Sequence, residues 1–321
     1  MPTSSMTPET MTPETMTPET MTGEQMTAAI AGGDGFIAAL DQSGGSTPKA
    51  LKGYGIEENE YSGDEAMFGL IHDMRCRIIR SKEFNGDKVV GAILFERTMD
   101  GSVDGVPVPQ ALITKGVVPF IKIDKGLEDE ANGVQLMKPM PELDALLAKS
   151  KALGVFGTKE RSVIQLANRA GIAAIVAQQF EVGQQVLAAG MMPMLEPEVN
   201  IKSPERAEID QILLEELLKA LDSMPGTDKV MLKLSLPVQS GLFGPLVAHP
   251  RVLRVVALSG GYARPEACAE LAKNHGIIAS FSRALLEDLR AQMSDDEFDA
   301  SLGAAIDEIH CGSTQKTVAV V

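Results

Sequence analysis

The sequence predicts an α/β chain of the (β/α)8 TIM barrel class, preceded by a disordered N-terminal extension, and three observations carry that prediction. Short apolar runs alternate with longer amphipathic ones along most of the chain, the pattern of strand–helix units on a parallel sheet. Eight such runs can be counted, and 321 residues are enough for one barrel, which commonly fills roughly 250. The residues at the ends of these runs are unusually polar, and in barrels of this class chemistry gathers at the C-terminal ends of the strands.

The elements follow in chain order. Residues 6 to 20 repeat MTPET three times, and a degraded copy, MTGEQ, occupies 21 to 25. Proline removes backbone donors, and Thr, Glu and Pro supply no core, so residues 1–27 are expected to form a low-complexity, disordered tail. A pentapeptide is too short to be a solenoid unit. The barrel is expected over 28–321, with a short C-terminal tail. Strands are predicted near 35 to 41, 89 to 95, 117 to 123, 154 to 157, 191 to 196, 230 to 236, 253 to 259 and 276 to 281. Between them, 208 to 224 and 161 to 190 show helical spacing, and the second is long enough to be two helices broken near Gly171.

Composition removes several classes of function. A net charge of −15 and a pI near 4.8 argue against binding nucleic acid or an anionic membrane surface, since phosphate contacts require clustered Lys and Arg. No apolar run is long enough to span a bilayer and no signal-like segment opens the chain, which predicts a cytoplasmic protein. Cys76, Cys268 and Cys311 are odd in number and widely spaced, so they read as buried thiols in a reducing compartment. His72, His249, His275 and His310 form no HxH or HxxH pair, so no metal site and no cofactor is expected.

One lysine stands where a charge is costly: Lys233, inside VMLKLSLPV. A lone lysine at a strand end can snorkel to water. A buried one must be paired or lose its proton, and a free amine attacks carbonyls. The other strand ends favour the second reading. They carry Asp41, Lys122 and Asp124, Lys159 and Arg161, Glu196 and Glu198, then Ser259, Gly260 and Gly261, and Ser280, Ser282 and Arg283. Because strand side chains alternate, Glu196 and Glu198 share a face, as do Met231, Lys233 and Ser235. An amine among carboxylates and cations suits Schiff-base chemistry on a phosphorylated ketone. Lys159 would repel a proton from Lys233, with Glu198 offsetting the charge of Lys159. Ser259, Gly260, Gly261 and Arg283 can hold one phosphate. Ser43 and Ser46 of DQSGGSTPK, with Lys122 and Arg161, can form a second anion site.

Taken together, GFIAALDQSGGSTPK, GVVPFIKIDKG, MLEPEV, LKLSLP, LSGG and FSRAL resemble class I (Schiff-base) fructose-1,6-bisphosphate aldolase, the short bacterial type, over about residues 28 to 313. The most specific part is EPE followed 37 residues after Glu196 by Lys233. The resemblance implies that Lys233 forms the Schiff base and that Glu196 moves protons as the imine forms and hydrolyses. It implies that Asp41 takes the C4 hydroxyl proton, with Lys159 and Glu198 as charged neighbours. It also places the C1-phosphate at Ser259, Gly260, Ser280 and Arg283, with Gly261 alongside, and the C6-phosphate near Lys122, Arg161, Ser43 and Ser46. Sugar phosphates are then the partners, in glycolysis or gluconeogenesis, and the family precedent is a homo-oligomer. Two departures stand out. Animal members carry glycine before the phosphate-binding arginine, in FSYGRAL, where this chain has Ser282. They also end in a tyrosine, whereas no tyrosine follows Tyr262 here. The competing readings are another Schiff-base barrel such as a transaldolase or deoxyribose-phosphate aldolase, a metal-dependent aldolase, and a non-catalytic scaffold that binds through its tail.

Overall fold

A computed structural model describes residues 21–317. The three intact MTPET copies at 6 to 20 lie outside the described residues. Eight strands form the barrel: β1 (Phe36–Leu40), β2 (Val89–Leu94), β3 (Val118–Lys122), β4 (Gly157–Ile164), β5 (Met192–Val199), β6 (Val230–Ser235), β7 (Val252–Leu258) and β8 (Ile277–Ala279). Each pairs in parallel with the next. The ring comes together where the Ala39 N–H of β1 donates to Phe281 O, just past β8, at 3.0 Å. A short strand, Val134–Gln135, lies antiparallel against the end of β4.

Strand alternation sorts the apolar residues into two layers. Ile37, Ala39, Ile93, Val118, Phe120, Met194, Met231, Val256 and Ile278 fill the barrel interior. Their neighbours in sequence, such as Ala38, Leu40, Leu94, Ile121, Leu195, Leu232 and Leu234, pack under the surrounding helices. The inward phase, continued past the apolar layer, brings Asp41, Lys122, Lys159, Glu196 and Lys233 to one mouth.

The opposite mouth is closed by the helix Gly23–Gly32, which leads directly into β1. Thr22 caps it: the Thr22 N–H donates to Gln25 Oε1 at 2.7 Å, and the Gln25 N–H donates to Thr22 Oγ1 at 3.2 Å. Met26 and Ile30, one helical turn apart, are buried in the barrel interior cluster, with Met21 packed beside them. The helix therefore begins five residues before the expected domain boundary at 28. In the degraded fourth copy, Gln25 supplies the side-chain acceptor of the capping box.

Three further expectations are corrected. The fourth strand spans Gly157–Ile164, not 154 to 157, so Lys159 and Arg161 lie within it. The segment 161 to 190 is not two helices: 161 to 164 is strand, and a single helix runs Arg169–Ala188 through Gly171. Gly171 is its third residue, where its N–H donates to the capping Asn168 Oδ1 at 3.1 Å. Glycine is required there by close packing, since a Cβ would lie 2.4 Å from Asn132 O. Finally, Cys76 and Cys268 are buried but Cys311 is exposed, on the solvent face of the helix Asp295–Thr314. Among the described residues, no helix is long and apolar enough to cross a membrane.

The N-terminal helix plugs the barrel away from the polar mouth, so its loss is expected to cost stability rather than chemistry. Ile30→Ala should lower unfolding free energy by about 2–5 kcal/mol in urea titration, with activity per folded molecule unchanged. A chain starting at Met21 should match the full chain, and one starting at Ala28 should be measurably less stable.

Candidate active site

The C-terminal mouth of the barrel opens into a cavity of about 720 Å³. Every residue expected at a site from the sequence lines it. Asp41, Lys159, Glu196, Glu198 and Lys233 form its floor and wall. Ser43, Ser46, Lys122, Arg161, Ser259, Gly260, Gly261, Ser280 and Arg283 line the rest of it.

Four charged side chains at the floor are almost out of water: Asp41 is 9% exposed, Glu196 4%, Lys159 3% and Lys233 3%. Isolated buried charges would cost several kcal/mol each, so they must compensate one another. Lys159 Nζ lies 2.6 Å from Asp41 Oδ2 and 2.9 Å from Glu196 Oε2. Lys233 Nζ lies 3.1 Å from the other oxygen of the same carboxylate, Glu196 Oε1. Glu196 is thus shared between two amines. The approach of Lys159 to Glu196 Oε2 is ionic and poorly directed as a hydrogen bond, which leaves that oxygen without an aligned donor.

Burial alone would raise the pKa of Asp41, but Lys159, Lys233 and Lys122 outweigh it and hold the carboxyl well below the usual range. Glu196 behaves alike: burial raises it, while Lys159 and Lys233 bring it net below its ordinary value. Burial would depress Lys159, but Asp41, Glu196 and Asp124 reverse the effect and keep it protonated. The Glu196 backbone is fixed from behind, its N–H donating to the buried Gln179 Oε1 at 3.2 Å.

Around this floor the pairing differs from the expected one. Glu198 pairs with Arg161 Nε, not with Lys159. Register explains the difference: Arg161 is the Cα partner of Glu196 across β4 and β5, so its longer side chain reaches the next inward carboxylate. Lys122 Nζ is held by Asp124 at 2.6 Å, and Asp124 Oδ2 also accepts from the Arg161 N–H at 3.3 Å. Ser43 and Ser46 are tied to each other, with the Ser43 N–H donating to Ser46 Oγ at 3.1 Å.

The loops after β7 and β8 carry unpartnered donors. Gly260 and Gly261 have φ of 61° and 125°, conformations that favour glycine. A Cβ at Gly260 would also lie 2.6 Å from Ile201 Cγ2. Among the described residues, neither glycine N–H donates to a protein acceptor, Arg283 has no ion-pair partner, and the buried Ser280 hydroxyl has no hydrogen-bond partner. Donors of this kind can hold an anion.

Sequence reasoning missed Gln42, Lys49 and Tyr262 as residues lining the cavity, and noted Ser282 without assigning it a role there. Asp124, two residues after Lys122 at a strand end, holds Lys122 from outside the lining. Gln42 was hidden because its role depends on Arg75, a buried arginine from a distant helix that donates to Gln42 Oε1 at 3.0 Å.

Lys159 carries the charge balance, so Lys159→Met is expected to destabilise by about 3–5 kcal/mol at pH 7 in urea titration. The pH dependence has a definite sign. The depressed carboxylates contribute stability that is present above their unfolded values, 3.8 for Asp41 and 4.5 for Glu196, and is lost as pH falls through the lower folded values. The gap between parent and variant should therefore narrow below pH 4.

The family model for class-I fructose-bisphosphate aldolase matches residues 23–236. A solved structure of fructose-bisphosphate aldolase from Plasmodium falciparum, in complex with TRAP and a small-molecule inhibitor, superposes with a TM-score of 0.75 at 20% identity, covering 94% of this chain and 98% of that one. Cgl0159 from Corynebacterium glutamicum superposes with a TM-score of 0.51 at 14% identity, covering 90% and 92%. At these identities the two structures show the shared fold. The family match spans the segment that supplies Asp41, Lys159, Glu196 and Lys233, and the chain belongs to the class-I fructose-bisphosphate aldolase family.

Proposed function

We propose that the protein cleaves fructose 1,6-bisphosphate reversibly to dihydroxyacetone phosphate and glyceraldehyde 3-phosphate through a Schiff base on Lys233. The observation that carries this reading is the placement of Lys233 Nζ 3.1 Å from Glu196 Oε1, buried at the floor of a cavity with unpaired anion-binding groups on one wall. The short bacterial type fits the same pattern of motifs.

The steps follow from the geometry. Lys233 must attack as a free amine, and Glu196 is the carboxylate in reach to take its proton. The amine adds to C2 of the ketose. Glu196 then returns a proton to the C2 hydroxyl, which leaves as water and gives the protonated imine. Asp41 accepts the C4 hydroxyl proton while the C3–C4 bond breaks. Its electron pair flows into the iminium, leaving an enamine on Lys233 and releasing the aldehyde. Protonation of the enamine at C3 and hydrolysis of the imine release the ketone and restore the amine. Lys159 stays charged throughout and orients both carboxylates. Arg161 and Glu198 orient each other at the wall, and Lys122 serves the C6-phosphate end once it is drawn from Asp124.

A bisphosphate suits a cavity lined by several cations: Arg283 near Gly261, together with Lys49, Lys122 and Arg161. That distinguishes fructose 1,6-bisphosphate from the substrates of transaldolase and deoxyribose-phosphate aldolase, which carry a single phosphate. We place the enzyme in the cytoplasm, in glycolysis or gluconeogenesis, as a homo-oligomer that uses no metal.

Two measurements test the reading. Turnover of fructose 1,6-bisphosphate should exceed that of sedoheptulose 7-phosphate and deoxyribose 5-phosphate and should survive EDTA; preference for either alternative, or loss with EDTA and recovery with zinc, contradicts it. Glu196→Gln should lower kcat by about 10²–10⁴-fold, the usual worth of a positioned proton-transfer group.

A further inference from the structure

Arg75 is a buried cation, 1% exposed, with no carboxylate partner among the described residues. Its guanidinium is spent on neutral acceptors. Nη1 donates to Thr98 Oγ1 at 2.6 Å, and Nη2 donates to Gln42 O at 2.6 Å and Gln42 Oε1 at 3.0 Å. A guanidinium offers only donors, so this contact fixes which way the Gln42 amide points. Its oxygen faces Arg75 and its nitrogen faces away.

That nitrogen donates to Ser282 Oγ at 2.6 Å and to Ala39 O at 3.3 Å. Ser282 therefore accepts from an amide group that has no lone pair to offer in return. Its own proton must be donated elsewhere, and no protein acceptor takes it among the described residues. Ser282 lines the cavity next to Arg283, on the wall that holds Ser280, Gly260 and Gly261. The backbone at Ser282 has φ −110°, so a side chain here costs no left-handed strain.

We propose that the Ser282 hydroxyl is a phosphate-binding donor of the cavity, with Gln42 and Arg75 as positioning residues that aim its proton. The inference rests on the sugar-phosphate reading of the site and adds to it a group that the glycine in FSYGRAL does not provide. The relay also joins the loop after β1, which carries Asp41, to the loop after β8, which carries Arg283. A phosphate seated at Arg283 is thereby held in register with the base at Asp41.

Calorimetric titration with inorganic phosphate reads the proposal without turnover, so it remains interpretable even if the cleavage reading fails. Ser282→Ala should weaken phosphate binding about tenfold, the worth of one hydrogen bond to a charged group. Ser282→Thr, which keeps the hydroxyl, should restore it. With fructose 1,6-bisphosphate the loss should fall on KM more than on kcat. Gln42→Met should also weaken phosphate binding, but in a Ser282→Ala background it should add less than about twofold, because the two act through one proton. Parent-like phosphate binding in Ser282→Ala, failure of threonine to restore it, or independent additive losses would overturn the proposal.

Discussion

The sharing of Glu196 between Lys159 and Lys233 is the contact on which the rest of the site depends. Lys159 Nζ and Lys233 Nζ approach different oxygens of one carboxylate, at 2.9 and 3.1 Å, in a place nearly closed to water. Each charge there would be prohibitive alone. Together they are tolerable, and the arrangement forces division of labour. Lys159, with Asp41 on its other side, is held protonated. Lys233 has only Glu196 within ion-pair distance among the described residues, and it lines the cavity.

The barrel supplies this geometry through register. Three adjacent parallel strands, β4, β5 and β6, present Lys159, Glu196 and Lys233 on their inward phase, and the first strand ends in Asp41 opposite them. Apolar side chains below, including Phe120, Met194 and Met231, keep water from the floor. Phe120 in turn packs edge-on against Phe156 at 5.6 Å between ring centroids. Reactivity at the polar mouth is therefore coupled to packing beneath it, and the plug at the far mouth protects the same core.

Most of the barrel was legible because apolar runs punctuated by glycine and capped helices carry their own period. Lys233 drew attention by breaking such a run, and Asp41 and Glu196 by standing at the ends of others. β4 was hidden for the opposite reason. Its Lys159, Glu160 and Arg161 look like a solvated turn until their partners on other strands are known. Glu160 points away from the cavity and is fully buried. Burial and nearby Asp124 push its pKa well above the ordinary value. No local pattern announces a carboxyl buried on the helix side of a strand. The pairing of Glu198 with Arg161 and the relay from Arg75 to Ser282 were illegible for a related reason: both depend on register between segments far apart in sequence.

Under the proposed function, Lys233 is the amine that becomes covalently bound to substrate. Borohydride reduction in the presence of dihydroxyacetone phosphate, followed by peptide mass mapping, tests it directly. One adduct is expected, on the peptide containing Lys233, and none in Lys233→Met. An adduct on Lys159 or elsewhere, or no adduct in the active parent protein, would contradict it.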